Sequence, residues 1–134
     1  LAGELGVADR VRFLGARSHG EMPGLISSAE LAVFPSLMEA TSVAALECMA
    51  CQVPVAASRV GGLPEIVDDD VGGLFSPASP EDLARCVSVL LRRDDLPELG
   101  ARARGRVVEK WSNARLAERH LEIYQELIRR RRAA

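Results

Sequence analysis

Short apolar runs alternate with stretches of helical periodicity over the first two-thirds of the chain. Leu31 to Phe34 (LAVF) is a continuous apolar run that stops at Pro35, and Pro54 to Ala57 (PVAA) is a second. Val11 to Leu14 (VRFL), closed by Gly15, and the weaker Gly73 to Phe75 have the same character. Runs of about four such residues suit strands of a parallel sheet buried on both faces. Between them, Glu21 to Ala29 and Ser42 to Cys51 are helical in composition, and the opening LAGELG has the look of a helix end. Strands alternating with helices predict an α/β domain with a parallel sheet over residues 1–79.

Residues 80–134 follow a different period and predict an all-helical segment. Pro80-Glu81-Asp82 sets a proline and two acids at a helix start, where the missing N–H and the dipole favour them. Leu83, Val87, Leu90 and Leu91 then recur on one face. Leu96, Leu99, Ala103 and Val107 mark a second helix. A third begins near the N-capping types Ser112 and Asn113, and is expected to bury Leu116, Ile123, Tyr124 and Leu127. It ends in Arg129 to Arg132, cationic where a helix C-terminus favours cations. That run reads as a solvated face, with contact to an anionic membrane surface as the alternative.

Composition narrows the function classes. The 134 residues are 48% apolar, too many for a disordered chain, and suffice for one domain with a real core. A formal net charge of −2 speaks against a general nucleic-acid-binding surface. No apolar stretch approaches the roughly 18 residues of a membrane span, and the first residues have no signal-peptide pattern, so a cytoplasmic protein is expected. Cys48 and Cys51 have Cys-x-x-Cys spacing, but the remaining candidate ligands, Cys86, His19 and His120, are scattered. They read as unbridged, metal-free thiols of a reducing compartment. Asp68, Asp69 and Asp70 fall in a turn and read as solvated surface rather than a metal motif. Neither the dinucleotide glycine fingerprint nor a P-loop is present.

The densest chemistry lies between Pro35 and Ser58. A buried strand stops at Pro35, a loop carrying Glu39 follows, and a helix starts near Thr41-Ser42. Ligands of parallel α/β sheets bind at such carboxyl edges. Free N–H groups of Thr41, Ser42, Val43 and Ala44 would leave that helix start, and the small side chains of Ala40, Ser42 and Ala44 permit close approach, which suits a phosphate. Glu39 and Glu47 bracket the place, eight residues apart, or about 12 Å of helix. Carboxylates accept well from sugar hydroxyls, so a sugar at one end of a pyrophosphate and a ribose at the other would fit. On spacing alone two other readings stay open. Glu39 could cap the helix while Glu47 pairs with an arginine, or the two could form a glycosidase-type acid and base pair.

The segment PSLMEATSVAALECMACQVPVAAS resembles the Glu-x7-Glu region of glycosyltransferase family 4, retaining nucleotide-sugar glycosyltransferases with a two-domain B-type fold. DRVRFLG, ISSAELAVFPS, SRVGGLPEIV and GGLFSPASPEDLA resemble further family segments in order and spacing, so the likeness covers nearly the whole chain. It implies a Rossmann-like fold, with residues 1–134 forming part of the C-terminal, donor-binding domain. It implies that Glu39 binds donor-sugar hydroxyls, that Glu47 binds the nucleotide ribose, and that amides of Ala40, Thr41, Ser42, Val43 and Ala44 hold the sugar and pyrophosphate. Ala16 and Arg17 are the candidates near the base. The donor is a nucleotide-diphosphate sugar, with no cofactor and no required metal, and the acceptor is open.

The sequence departs from the family where Ala40-Thr41-Ser42 replaces a common Gly-Phe-Gly, and where Gln52 replaces a glycine. The family's phosphate-clamping arginine and lysine, and its acceptor domain, correspond to positions upstream of Leu1, so no turnover is expected from these residues alone. The sheet is expected to have one open edge, and with the apolar face of the last helix this predicts self-association. A nucleotide-sugar epimerase of the same fold and a non-catalytic binding module are the rival readings.

Overall fold

The computed structural model describes residues 1–133. Three short parallel strands, β1 (Ala32–Phe34), β2 (Val55–Ser58) and β3 (Gly72–Phe75), lie in the order β1-β2-β3, with Ala32 opposite Val55 and Val55 opposite Gly72. Six helices surround them: α1 (Met22–Ser27), α2 (Val43–Ala50), α3 (Leu63–Ile66), α4 (Pro80–Leu91), α5 (Leu96–Lys110) and α6 (Asn113–Ala133). The alternation read from residues 1–79 and the helical character of the rest are thus both present.

The period-two geometry of β2 divides the core. Val55 and Ala57 face one layer, where Ala45, Cys48 and Met49 of α2 meet Leu63 and Ile66 of α3 and Ala103 of α5. Ala56 faces the other, with Phe75, Leu90 of α4 and Leu99 of α5. All four β2 residues are buried, as a central strand covered on both sides must be. On α4, Leu83 and Val87 pack partly and Leu90 fully, whereas Leu91 stays on the solvent side.

Four expectations change. Val11 to Leu14 forms no strand, because no strand of the three-stranded sheet lies beside it to complete a ladder; Phe13 is 89% exposed. LAGELG is a single hydrogen-bonded turn, with Val7 N–H donating to the Ala2 carbonyl and Gly6 left-handed, which is the bonding of a helix end without a helix. The run Leu31 to Phe34 is not buried on both faces: β1 is at most half-buried and Val33 is 40% exposed, because the helices on that face, α4 and α5, pack over β2 and β3. Finally, α6 does not bury its apolar side: Leu116, Ile123, Tyr124 and Leu127 are all exposed. Periodicity shows which side of a helix is apolar, not whether anything covers it. The polar side of α6 is lined with ion pairs one turn apart, Arg115–Glu118 and Arg119–Glu122 among them.

The end of α2 shows how Gln52 stands in for a glycine. Its N–H donates to the Met49 carbonyl and the Val53 N–H to the Cys48 carbonyl, both at 3.0 Å, the paired bonds of a Schellman closure. Gln52 supplies the left-handed position with φ +63. A Cβ in that region strains the backbone by about 1 kcal/mol or more. Gln52→Gly is therefore expected to stabilise the domain by about 0.5–1 kcal/mol, the strain relief being partly offset by the freer unfolded chain. A higher urea midpoint at unchanged slope would show it; a lower one would mean the glutamine side chain contributes packing.

The start of α4 carries a pH dependence. Ser79 Oγ accepts from the Asp82 N–H, and Asp82 in turn accepts from the Ser76 N–H at 2.7 Å. That bond, the Ser76 side chain and the adjacent Arg85 push the Asp82 carboxyl down to about 2 from its ordinary 3.8. A depressed folded-state pKa contributes stability that is complete above the unfolded value and lost as pH falls from about 3.8 toward 2. Urea melts at pH 5 and pH 2.5 are expected to show a smaller acid loss in Asp82→Asn than in the wild type.

Candidate functional site

The site grows from the exit of β1. Pro35 ends the strand, having no N–H with which to continue a ladder, and the loop to Thr41 crosses the carboxyl edge of the sheet. Ser42 is the N-cap of α2: its backbone is extended and its Oγ accepts from the Ala45 N–H at 3.4 Å. Its carbonyl accepts from the Leu46 N–H. The Val43 and Ala44 amides find no acceptor among the described residues, and both residues are exposed. Two unpaired donors at the positive end of a helix dipole define an anion-attracting point.

Burial of Ala45, Cys48 and Met49 fixes the rotation of α2. Val43, Ala44 and Glu47 are then left on the outward side, since Glu47 follows them by three and four residues. The Glu47 side chain is 39% exposed, and its Oε1 lies 3.8 Å from His19 Nε2. Beside it is a hollow of about 210 Å³ lined by Met22, Pro23, Ile26, Ala50 and Cys51 together with His19 and Glu47. Immediately behind, burial pushes the Cys48 thiol up to about 11, and the nearby Cys51 and Glu47 add to the effect. Cys48, Cys51 and Cys86 are free thiols, and no group of three or more His, Cys, Asp or Glu able to hold a metal occurs among the described residues.

The loop before α2 is tied down from below. Ser58 Oγ, at the end of β2, donates to the Ser36 carbonyl at 2.6 Å, and the Gly62 N–H donates to the Ala40 carbonyl at 3.0 Å. Glu39 is half-buried in this loop, while Ala40 and Thr41 are exposed.

The residues picked out by the sequence fare differently. Ala40, Thr41, Ser42, Val43 and Ala44 form one continuous edge at the start of α2, and Glu47 lies on the outward side of the same helix. Ser42 caps the helix, so Glu39 is free of that task, and the partner near Glu47 is a histidine rather than an arginine. Arg17 and Ala16 are exposed, and the Arg17 guanidinium lies 3.9 Å from Glu21. The Ser18 hydroxyl and N–H hold the Glu21 carboxyl below its usual range. The acidic turn is exposed, as its reading as solvated surface expects, and Arg106 on α5 meets Asp68 at 2.8 Å and Asp70 at 3.8 Å, which ties the turn to the helix. Sequence reasoning missed His19. Weighed only as a scattered candidate metal ligand, it stands 28 positions before Glu47, too far for a local pattern to join the two.

This strand-loop-helix edge thus carries two unpaired amides at a helix start, with Glu39 before them and Glu47 after them along the chain. A family model for group 1 glycosyl transferases matches residues 1–93, and the chain belongs to that family. It is 38% identical to an MMP alpha-(1->4)-mannosyltransferase of Mycolicibacterium hassiacum, over 97% of this chain and 32% of the relative. Among solved structures, sucrose-phosphate synthase from Thermosynechococcus elongatus superposes with a TM-score of 0.86 at 32% identity, covering 95% of this chain and 32% of that one. Anabaena HepE, solved in complex with UDP, shares the fold with a TM-score of 0.85 at 24% identity, over 93% and 35% of the two chains. The chain thus spans about a third of the length of the curated relatives it matches. No helix among the described residues is long and apolar enough to cross a membrane.

Proposed function

We propose that this chain forms one wall of the donor site of a retaining glycosyltransferase, which moves a sugar from a nucleotide-diphosphate sugar to an acceptor. The observation that carries the reading is the outward edge of α2, where the unpaired Val43 and Ala44 amides lie between Glu39 and Glu47. Glu39 accepts hydrogen bonds from the donor sugar, Glu47 from the ribose, and the amides from Ala40 to Ala44 meet the sugar and diphosphate. The hollow beside Glu47 supports this orientation, because Met22, Pro23, Ile26 and Ala50 offer an apolar seat for a base next to a carboxylate suited to a ribose. Arg17 and Ala16 lie toward the base.

Helix-start amides aimed at the diphosphate stabilise the charge that grows on the leaving group as the glycosidic bond breaks. They do so without a metal, so the chain's part in catalysis is to bind and orient the donor. Glu39 orients the sugar and is not the attacking group. A basic clamp and an acceptor-binding wall complete the active site in the full enzyme.

Titration calorimetry of the 134-residue chain with UDP, GDP and ADP tests the reading. One-site binding of at least one of them, unchanged by EDTA, is expected. No binding of any of the three would remove the donor-site assignment.

A further inference from the structure

The Gly61-Gly62 turn lies directly beneath the loop that carries Glu39. Gly61 has φ +50, and a Cβ built on it would fall 1.5 Å from the Glu39 carbonyl oxygen and 2.7 Å from the carbonyl carbon. A Cβ on Gly62 would fall 2.3 Å from the Ala40 carbonyl oxygen, and the Gly62 N–H already donates to that oxygen at 3.0 Å. Two successive peptide planes are therefore turned carbonyl-down onto the glycines. Across a trans peptide the N–H points opposite to the carbonyl, and the chain has no cis bonds. The Ala40 and Thr41 N–H groups must then point away from the turn, and neither finds an acceptor among the described residues. Successive N–H groups on one side of the backbone form a concavity that attracts anions.

We propose that Gly61 and Gly62 are positioning residues: they fix the Glu39 and Ala40 peptide planes so that the Ala40 and Thr41 amides face the donor's diphosphate. This rests on the donor-site reading above and deepens it. The loop lacks the glycines the family commonly has after its first glutamate, so Ala40-Thr41-Ser42 has little freedom to find the direction itself. The conformation is imposed from the neighbouring turn instead. Any side chain at position 61 must push the Glu39 carbonyl aside and rotate the Ala40 amide with it.

Gly61→Ala and Gly61→Asn are the informative variants. Asparagine tolerates the left-handed backbone, so it removes most of the φ strain and leaves the Cβ clash. Gly105→Ala on α5, where a Cβ meets nothing within 4 Å, is the control. Each protein is titrated with UDP, GDP and ADP and with the matching nucleosides, followed by amide shifts in ¹H–¹⁵N spectra. For the nucleotide that the wild type binds, both position-61 variants are expected to lose roughly tenfold or more in diphosphate affinity. Nucleoside affinity, set at the Glu47 end, stays unchanged, and the Ala40 and Thr41 amide shifts on diphosphate addition disappear. Equal losses for diphosphate and nucleoside would show a merely structural role and overturn the proposal, as would wild-type binding in Gly61→Asn. If the wild type binds no nucleotide, the donor-site reading itself is wrong and this inference goes with it.

Discussion

Met49→Ala is expected to destabilise the domain by about 2–5 kcal/mol, enough to leave much of it unfolded at 37 °C. Met49 has no exposed surface and sits in α2 among the residues packed against β2, α3 and α5. Truncation removes its transfer free energy and leaves a cavity, because the sheet and α5 hold the surroundings apart. Against a total stability of about 5–15 kcal/mol for a domain of ordinary size, that is a large fraction. The functional consequence follows from location, since α2 presents both the unpaired amides and Glu47. A urea melt gives the stability directly. A loss below about 1 kcal/mol would show that α2 is not seated as described.

Glu47→Gln is expected to lower nucleoside diphosphate affinity by roughly ten- to a hundredfold, the range for hydrogen bonds to a charged acceptor. The substitution keeps size and helix propensity, and the pair it breaks with His19 is exposed, 92% on the histidine side, so stability stays within about 0.5 kcal/mol. Glu39→Gln is expected to act at the other end, erasing any preference for the nucleotide sugar over the bare diphosphate while leaving diphosphate binding near wild type. Calorimetry on the two variants separates the roles. Wild-type diphosphate affinity in Glu47→Gln would remove the ribose assignment.

What the sequence revealed depended on whether the determining contacts were local. The apolar runs of β1 and β2, the helix starts near Ser42, Pro80 and Ser112, and the periodicity of α4 and α5 all rest on neighbours a few residues away, and they stand in the structure where the pattern put them, although only β2 of the two strands is fully buried. Val11 to Leu14 shows the opposite case. Its composition suits a strand, but strand formation needs a neighbouring edge, which composition does not supply. For α6, the pattern marked an apolar side whose exposure depends on what packs there. Asp68 and Asp70 are exposed as the pattern expects, but the arginine that meets them stands some 36 residues later on α5, beyond the reach of a local pattern.

The site divides the same way. Contiguity alone assembled Ala40 to Ala44 and put Glu47 on the outward side of α2. The long-range parts were not legible: His19 beside Glu47, and the glycine turn pressed under the Glu39 peptide. Gly61-Gly62 reads in isolation as a tight turn, with direct ligand contact as the alternative, and only its place beneath the loop gives it a bearing on the amides above.

The most direct test of the central claim is to follow the backbone amides of the 134-residue chain by ¹H–¹⁵N spectroscopy while adding UDP, GDP or ADP. Saturable shifts are expected, concentrated at Ala40 to Ala44, with Glu47 and the Met22 to Ile26 side of the hollow responding to the nucleoside. Shifts confined to other surfaces, such as α6 or the Asp68 to Asp70 turn, or none with any of the three nucleotides, would contradict the claim.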